Sequence, residues 1–252
     1  MSPLTSRVFG ERGRRRAEKL GIDPERLPPG QSPTVKFPVL TIGSEPDVPT
    51  AAWSLSIHGE ADAPYALGWD ELLALEQVEQ TVDLHCVTRW SQFDMRWRGV
   101  RVRGLIERAA PRPTATHVLV HAHGGYTTNL PLAAILDDDV LIAHTYDGAP
   151  LPREHGGPAR LLVPGRYLWK SAKWVSAIEL LGHDEPGIWE RNGYHNDGDP
   201  WTEERHGPDP QAFRALRRTV RAVGRPPTCR RPTAAHSPRA CAPATARRRP
   251  RC

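Results

Sequence analysis

Apolar residues in the middle of this chain recur at every second position, in short runs broken by glycine and proline. That period belongs to half-buried strands rather than helices. WSLSIHG (53–59) puts Trp53, Leu55 and Ile57 on one face. QTVDLHC (80–86) alternates again and delivers Cys86 to a strand end. THVLVHAHGGYTTNLPL reads as a strand, a Gly-Gly turn and a second short strand. DVLIAHTYDGAPLP is a strand running into an Asp-Gly hairpin turn. ARLLVPGRYLWKSAKWVSAIELL (159–181) is a strand, a Pro-Gly loop with basic residues, then a longer strand. Helical signals are brief. LGWDELLALEQ (67–77) has acids in its first turn, and a second helix over roughly 104–110 is stopped by PRP. GIWERNGYHNDGDPWTEERH reads as loop, rich in aromatics. Strands outnumber helices, so the expected class is α+β, with mixed curled sheets rather than a doubly wound fold.

Three segments differ in texture. Residues 1–33 are charged and then proline-rich, an arm and linker; 34–206 form the domain; 207–252 form a basic Pro/Arg-rich tail. The tail has almost no large apolar side chains and is expected to be disordered. It carries twelve arginines against one acid, Asp209, a net of +11, so the overall +5 leaves −6 for the preceding residues. The body is therefore mildly acidic, and nucleic-acid binding is not expected, since no aromatic is interleaved among the tail's arginines for base stacking. Cys229, Cys241 and Cys252 lie in the tail, which leaves Cys86 as the only thiol of the body. Such a body has no disulfide framework and fits a reducing, cytoplasmic compartment. No apolar run follows Arg15-Arg16 as a targeting signal requires, and no stretch is long enough to span a membrane.

Two stretches carry chemistry. In DLHCVTRWSQFDMRWRGV (83–100), Cys86 is followed by Arg89, Arg96 and Arg98 and by Trp90 and Trp97. Positive charge favours thiolate, the form that attacks carbon or binds a soft metal. These two roles, and simple packing of a buried thiol, all remain open at this point. His85 is a poor base for Cys86, because neighbours on a strand face opposite ways. His121 and His123 share a face, yet two ligands are not a metal site, and their roles read as structural. In GGPARLLVPGRYLWKSAKWV (156–175), Arg160, Arg166, Lys170 and Lys173 gather near a Pro-Gly loop. They suit a phosphate or other oxyanion, or else form a solvated basic rim.

Taken together, HCVTRWS…WRGV and GGPARLLVPGRYLWKSAKWV resemble the molybdopterin-binding domain of the sulfite oxidase family, over roughly residues 34–206. The closest branch is the small bacterial one, similar to the molybdenum subunit of methionine sulfoxide reductase. The resemblance implies that Cys86 gives its sulfur to molybdenum in a molybdenum–molybdopterin cofactor. It places Trp90, Ser91, Thr127, Arg160, Lys170, Ser171 and Lys173 at the cofactor, the last four near the pterin and its phosphate. It places Arg89 and Tyr126 beside Cys86 in the reacting pocket. Trp97 and Gly99 also match. Sulfite oxidases have paired arginines four and five positions after the cysteine, whereas here Arg89 at position three stands alone. The implied activity is two-electron oxygen-atom transfer on a sulfoxide, sulfite or other small oxyanion. No haem-binding segment is present, which implies a separate electron-transfer protein. A non-catalytic molybdopterin-binding protein and a metal-free cysteine-nucleophile enzyme are the alternative functions.

Overall fold

A computed structural model describes residues 3–207. The tail expected to be disordered lies outside them. In chain order the helix α1 (Pro3–Lys19) leads to β1 (Ser32–Pro33), β2 (Ser54–Gly59), β3 (Tyr65–Gly68), α2 (Trp69–Ala74), β4 (Val78–His85) and β5 (Trp90–Arg101). Then follow α3 (Val102–Arg108), β6 (His117–Ala122), β7 (Thr127–Pro131), α4 (Leu132–Ile135), β8 (Leu141–Tyr146), β9 (Ala149–Pro150), β10 (Arg160–Leu162), β11 (Val175–Leu181) and α5 (Ile188–Arg191). The expected α+β class holds. The helix read over 67–77 closes sooner, at Ala74. The Glu71 carboxylate caps its start by accepting from Gly68 N at 2.7 Å. The Gln77 amide ends it by donating to the carbonyls of Leu72 and Leu75, both at 3.0 Å. The closing stretch read as loop contains α5, too short for its period to show.

Two sheets form. The six-stranded one runs β1-β5-β8-β10, with β4 on β5 and β9 on β8; the five-stranded one runs β3-β2-β11-β6-β7. Among the described residues only β1–β5 and β2–β11 are parallel pairs. Alternation divides the apolar residues between two cores. Ile142 of β8 and Leu161 of β10 join Leu55, Ile57, Val120 and Ile178 in the larger core between the sheets. Their neighbours Leu141, Ala143 and Leu162 face the other way, onto Leu84, Met95 and Trp97. Phe37 seals this second core. Its ring meets Trp90 and Trp97 edge-on and stacks on His155 at 4.0 Å.

The hairpin between β4 and β5 carries Cys86. Cys86 N donates to Trp90 O and Arg89 N donates to Cys86 O, both at 2.9 Å. The turn needs Arg89 at φ 75°, a left-handed conformation that costs a residue with a Cβ about 1–2 kcal/mol. The segment read as linker is built against this turn. Ser32 and Pro33 pair with Trp90 and Ser91. Arg26 grips Asp83 of β4 through two bonds of 3.0 and 2.7 Å. Gly13 of α1 sits so close to Gln31 that a Cβ there would lie 2.1 Å from its carbonyl oxygen.

Candidate functional site around Cys86

The Cys86 thiol is 6% exposed. The Thr88 hydroxyl donates to its Sγ at 3.1 Å, and the buried Gln31 amide donates to its carbonyl at 3.1 Å. The cations expected from sequence proximity are not the ones that act on it. Arg96 and Arg98 alternate with buried Trp97 and point outward, and Arg96 pairs with Asp147. Arg89 turns to Gly30 O at 3.2 Å and Glu203 at 3.7 Å. The guanidinium that reaches Cys86 comes from Arg205, which donates to the carbonyl of the next residue, Val87, at 2.9 Å. Burial pushes the Cys86 thiol above its ordinary pKa, against the smaller opposing pull of Thr88 and Arg205. His85 is engaged elsewhere. Its Nδ1 lies 2.8 Å from the hydroxyl of Ser91, so Ser91 is held by a protein group.

An aromatic wall stands beside this turn. Tyr167 stacks on Trp169 at 5.3 Å, and Trp169 meets Tyr194 edge-on at 5.0 Å. Tyr126 donates its hydroxyl to Trp169 O, and Trp169 Nε1 donates to Glu190 at 2.8 Å. The Tyr194 phenol is pushed up by burial first and by the charge of Cys86 second. Tyr126 is pushed up more strongly, by burial and then by Glu190.

The basic loop is well used by the protein itself. Arg160 is buried and donates to the carbonyls of His155 at 2.9 Å and Ser171 at 2.8 Å. Ser171 Oγ accepts from Val163 N at 2.9 Å. Lys170 has no exposed surface: its ammonium meets Glu190 at 2.7 Å and Asn129 through O and Oδ1 at 2.9 and 2.8 Å. Lys173 is half-buried. It donates to Leu40 O, Thr41 Oγ1 and Glu154 O, and burial with the nearby Arg160 charge pushes it down to about 8. Of the four basic-loop cations, Arg160 and Lys170 are buried, whereas Arg166 and Lys173 keep part of their surface exposed.

Do these residues suit a molybdopterin? Among the described residues Cys86 belongs to no group of three His, Cys, Asp or Glu whose ligand atoms converge. A metal at its sulfur must bring most of its own ligands, as a metal carried by an organic cofactor does. Among the described residues the buried hydrogen-bonding atoms without a partner include Trp90 Nε1 and Thr127 Oγ1, both predicted cofactor contacts, and Tyr167 OH in the aromatic wall, beside others such as Gln92 Oε1, Trp97 Nε1, His123 Nε2 and Arg166 Nε. Native interiors rarely leave such atoms unmade unless a ligand or water completes them. The residues fit the group. Sequence reasoning missed Gln31, Tyr167, Tyr194 and Arg205. The aromatic-rich closing stretch was a signal for Tyr194; nothing in the pattern marks Gln31 or Arg205.

Comparison with known proteins bears on this geometry. The family profile described as oxidoreductase molybdopterin binding domain matches residues 42–189. The uncharacterized oxidoreductase YuiH of Bacillus subtilis is 44% identical over 184 residues, covering 71% of this chain and 91% of that protein. The catalytic subunit MsrP of the Gluconobacter oxydans protein-methionine-sulfoxide reductase is 31% identical, over 55% of this chain and 50% of that one. Mitochondrial sulfite oxidase of Rattus norvegicus is 31% identical, over 51% and 29%. The chain thus spans half or less of these two longer relatives. The crystal structure of the sulfane dehydrogenase SoxCD from Paracoccus pantotrophus shares the fold, with a TM-score of 0.52, 21% identity, and coverage of 59% of this chain and 42% of that one. A profile that takes in Cys86, Tyr126, Tyr167 and Trp169 of the aromatic wall and the whole basic loop places this chain in the sulfite oxidase-type family of molybdopterin-binding oxidoreductases.

Proposed function

We propose that this protein is a molybdenum–molybdopterin enzyme that performs two-electron oxygen-atom transfer on a small substrate, a sulfoxide, sulfite or another oxyanion. A separate electron-transfer protein exchanges the electrons. The reading is carried by one observation: among the described residues Cys86 is a single, buried, soft ligand that belongs to no converging set of protein ligands. When bound, the cofactor supplies the two-electron redox couple. The chain's own residues do the rest. Cys86 offers its sulfur, Thr88 and Gln31 fix where that sulfur points, and Trp90 Nε1 and Thr127 Oγ1 offer hydrogen bonds. Lys173 presents the cation for the cofactor's phosphate, while Arg160, Lys170 and Ser171 hold the backbone that carries it. Tyr126 and Arg89 border the space in which a substrate meets the centre. Among the described residues no helix is long and apolar enough to cross a membrane. The one-thiol body supports a cytoplasmic site of action.

The nucleophile alternative lacks support in the geometry. The adjacent His85 is turned to Ser91 and offers Cys86 no base. The test is molybdenum analysis of protein made in a host that synthesises molybdopterin, followed by dye-linked assays on sulfoxides and sulfite. The expected result is close to one molybdenum per chain and turnover that disappears in Cys86→Ala. Full turnover in metal-free protein overturns the proposal, and a metal-loaded protein inert to every substrate points to the carrier alternative.

A further inference from the structure

Arg205 lies beyond the residues that match the family profile. It is 5% exposed, and it ties the Cys86 turn to the arm that packs against it. Nη1 donates to Val87 O at 2.9 Å, and Nη2 donates to Pro29 O at 3.2 Å. Nε stands 3.5 Å from Glu203 Oε1, and the guanidinium lies 4.9 Å over the Tyr167 ring. Arg89 reaches the same spot from the other end of the turn, through Gly30 O and Glu203. Gly30, at φ 67°, leaves the room for this: a Cβ there would meet Glu203 Oε1 at 2.4 Å and Arg89 Nη1 at 2.7 Å. Two guanidiniums and one carboxylate are therefore packed against the loop that carries Cys86, with Arg205 buried and Arg89 and Glu203 partly exposed.

We propose that Arg205 is a positioning residue for the Cys86 centre, fixing the loop through its two carbonyl contacts and setting the electron affinity of the bound metal through its charge, with Glu203 acting in the opposite sense. This rests on the reading of Cys86 as the molybdenum ligand. Arg205 qualifies by geometry where the sequence-adjacent Arg96 and Arg98 do not, because those two face solvent on the far side of the strand alternation. A nearby positive charge stabilises the electron-rich reduced centre, so its removal must lower the midpoint potential. Removal of the Glu203 charge must raise it. A residue that only holds the fold together would not give shifts of opposite sign in these two variants.

The experiment uses molybdenum-loaded full-length protein. Molybdenum content is measured first, and then the midpoint potential of the centre by spectroscopic redox titration. The proteins compared are wild type, Arg205→Met, Arg205→Lys and Glu203→Gln. Arg205→Met is expected to change the reduction equilibrium about tenfold toward the oxidised form, about 30 mV for a two-electron couple. Arg205→Lys, which keeps the charge, stays near wild type, and Glu203→Gln moves upward. Should Arg205→Met fail to fold, the upward move of Glu203→Gln still has to appear. Equal potentials in the loaded variants, or shifts of the same sign for Arg205→Met and Glu203→Gln, overturn the inference. A wild type that takes up no molybdenum overturns instead the reading of Cys86 beneath it.

Discussion

Gln31 donates its side-chain amide to the carbonyl of Cys86 at 3.1 Å, from a segment that the sequence presents as a proline-rich linker. The bond is buried at both ends, so its loss leaves a carbonyl without a partner. Gln31→Leu is expected to destabilise the protein by about 1–3 kcal/mol and to speed loss of molybdenum on dialysis. Gly13→Ala, which would push α1 off Gln31, is expected to do the same more weakly. Urea melts and timed metal analysis check both; a Gln31→Leu protein with wild-type metal retention would remove Gln31 from the site.

Lys170 and Glu190 form an ion pair with no solvent exposure on the lysine. Breaking such a pair from one side leaves a buried charge and costs about 3–5 kcal/mol. Lys170→Met alone and Glu190→Gln alone are therefore expected to lose several kcal/mol in urea denaturation. The double variant is expected to lose less than the sum of the two. Additive losses would mean that the two side chains do not act on each other.

His155 stacks on Phe37, and burial, then the charges of Arg160 and Lys173, push it down from about 6.5 to about 4. Between those values the unfolded chain takes up the proton and the folded one resists it. Stability from this group is complete above about pH 6.5, falls as the pH drops toward 4, and then levels off. His155→Phe keeps the stack and removes the titration. The wild-type urea midpoint should fall between pH 7 and pH 5 by more than that of His155→Phe; equal falls would show that His155 stays accessible to protons.

Much of the architecture was legible because period-2 alternation and turn chemistry are local. The Asp147-Gly148 pair announced the β8–β9 hairpin, and both residues do take positive φ, 50° and 80°. Trp53, Leu55 and Ile57 all proved buried, as their shared face required. The site was only partly legible. Cys86 stood out as a lone thiol at a strand end, but its cationic partner was sought among Arg89, Arg96 and Arg98. Strand alternation turns the last two outward, while Arg205 arrives from the end of the body through a tertiary contact that no spacing encodes. Lys170 read as a basic-loop residue open to a ligand. Its burial depends on Glu190, which sits on a helix of one turn too short to leave a periodic signal. Gln31 was hidden for the same reason, since a glutamine between a glycine and a serine carries no pattern until α1 and β1 fold it inward.

The claim beneath all of this is that the sulfur of Cys86 binds molybdenum directly. X-ray absorption at the molybdenum edge counts the sulfur atoms on the metal. Loaded wild-type protein should show one more sulfur neighbour than loaded Cys86→Ser, with every other distance little changed. The same sulfur count in both proteins would show that Cys86 is not a ligand and would contradict the assignment.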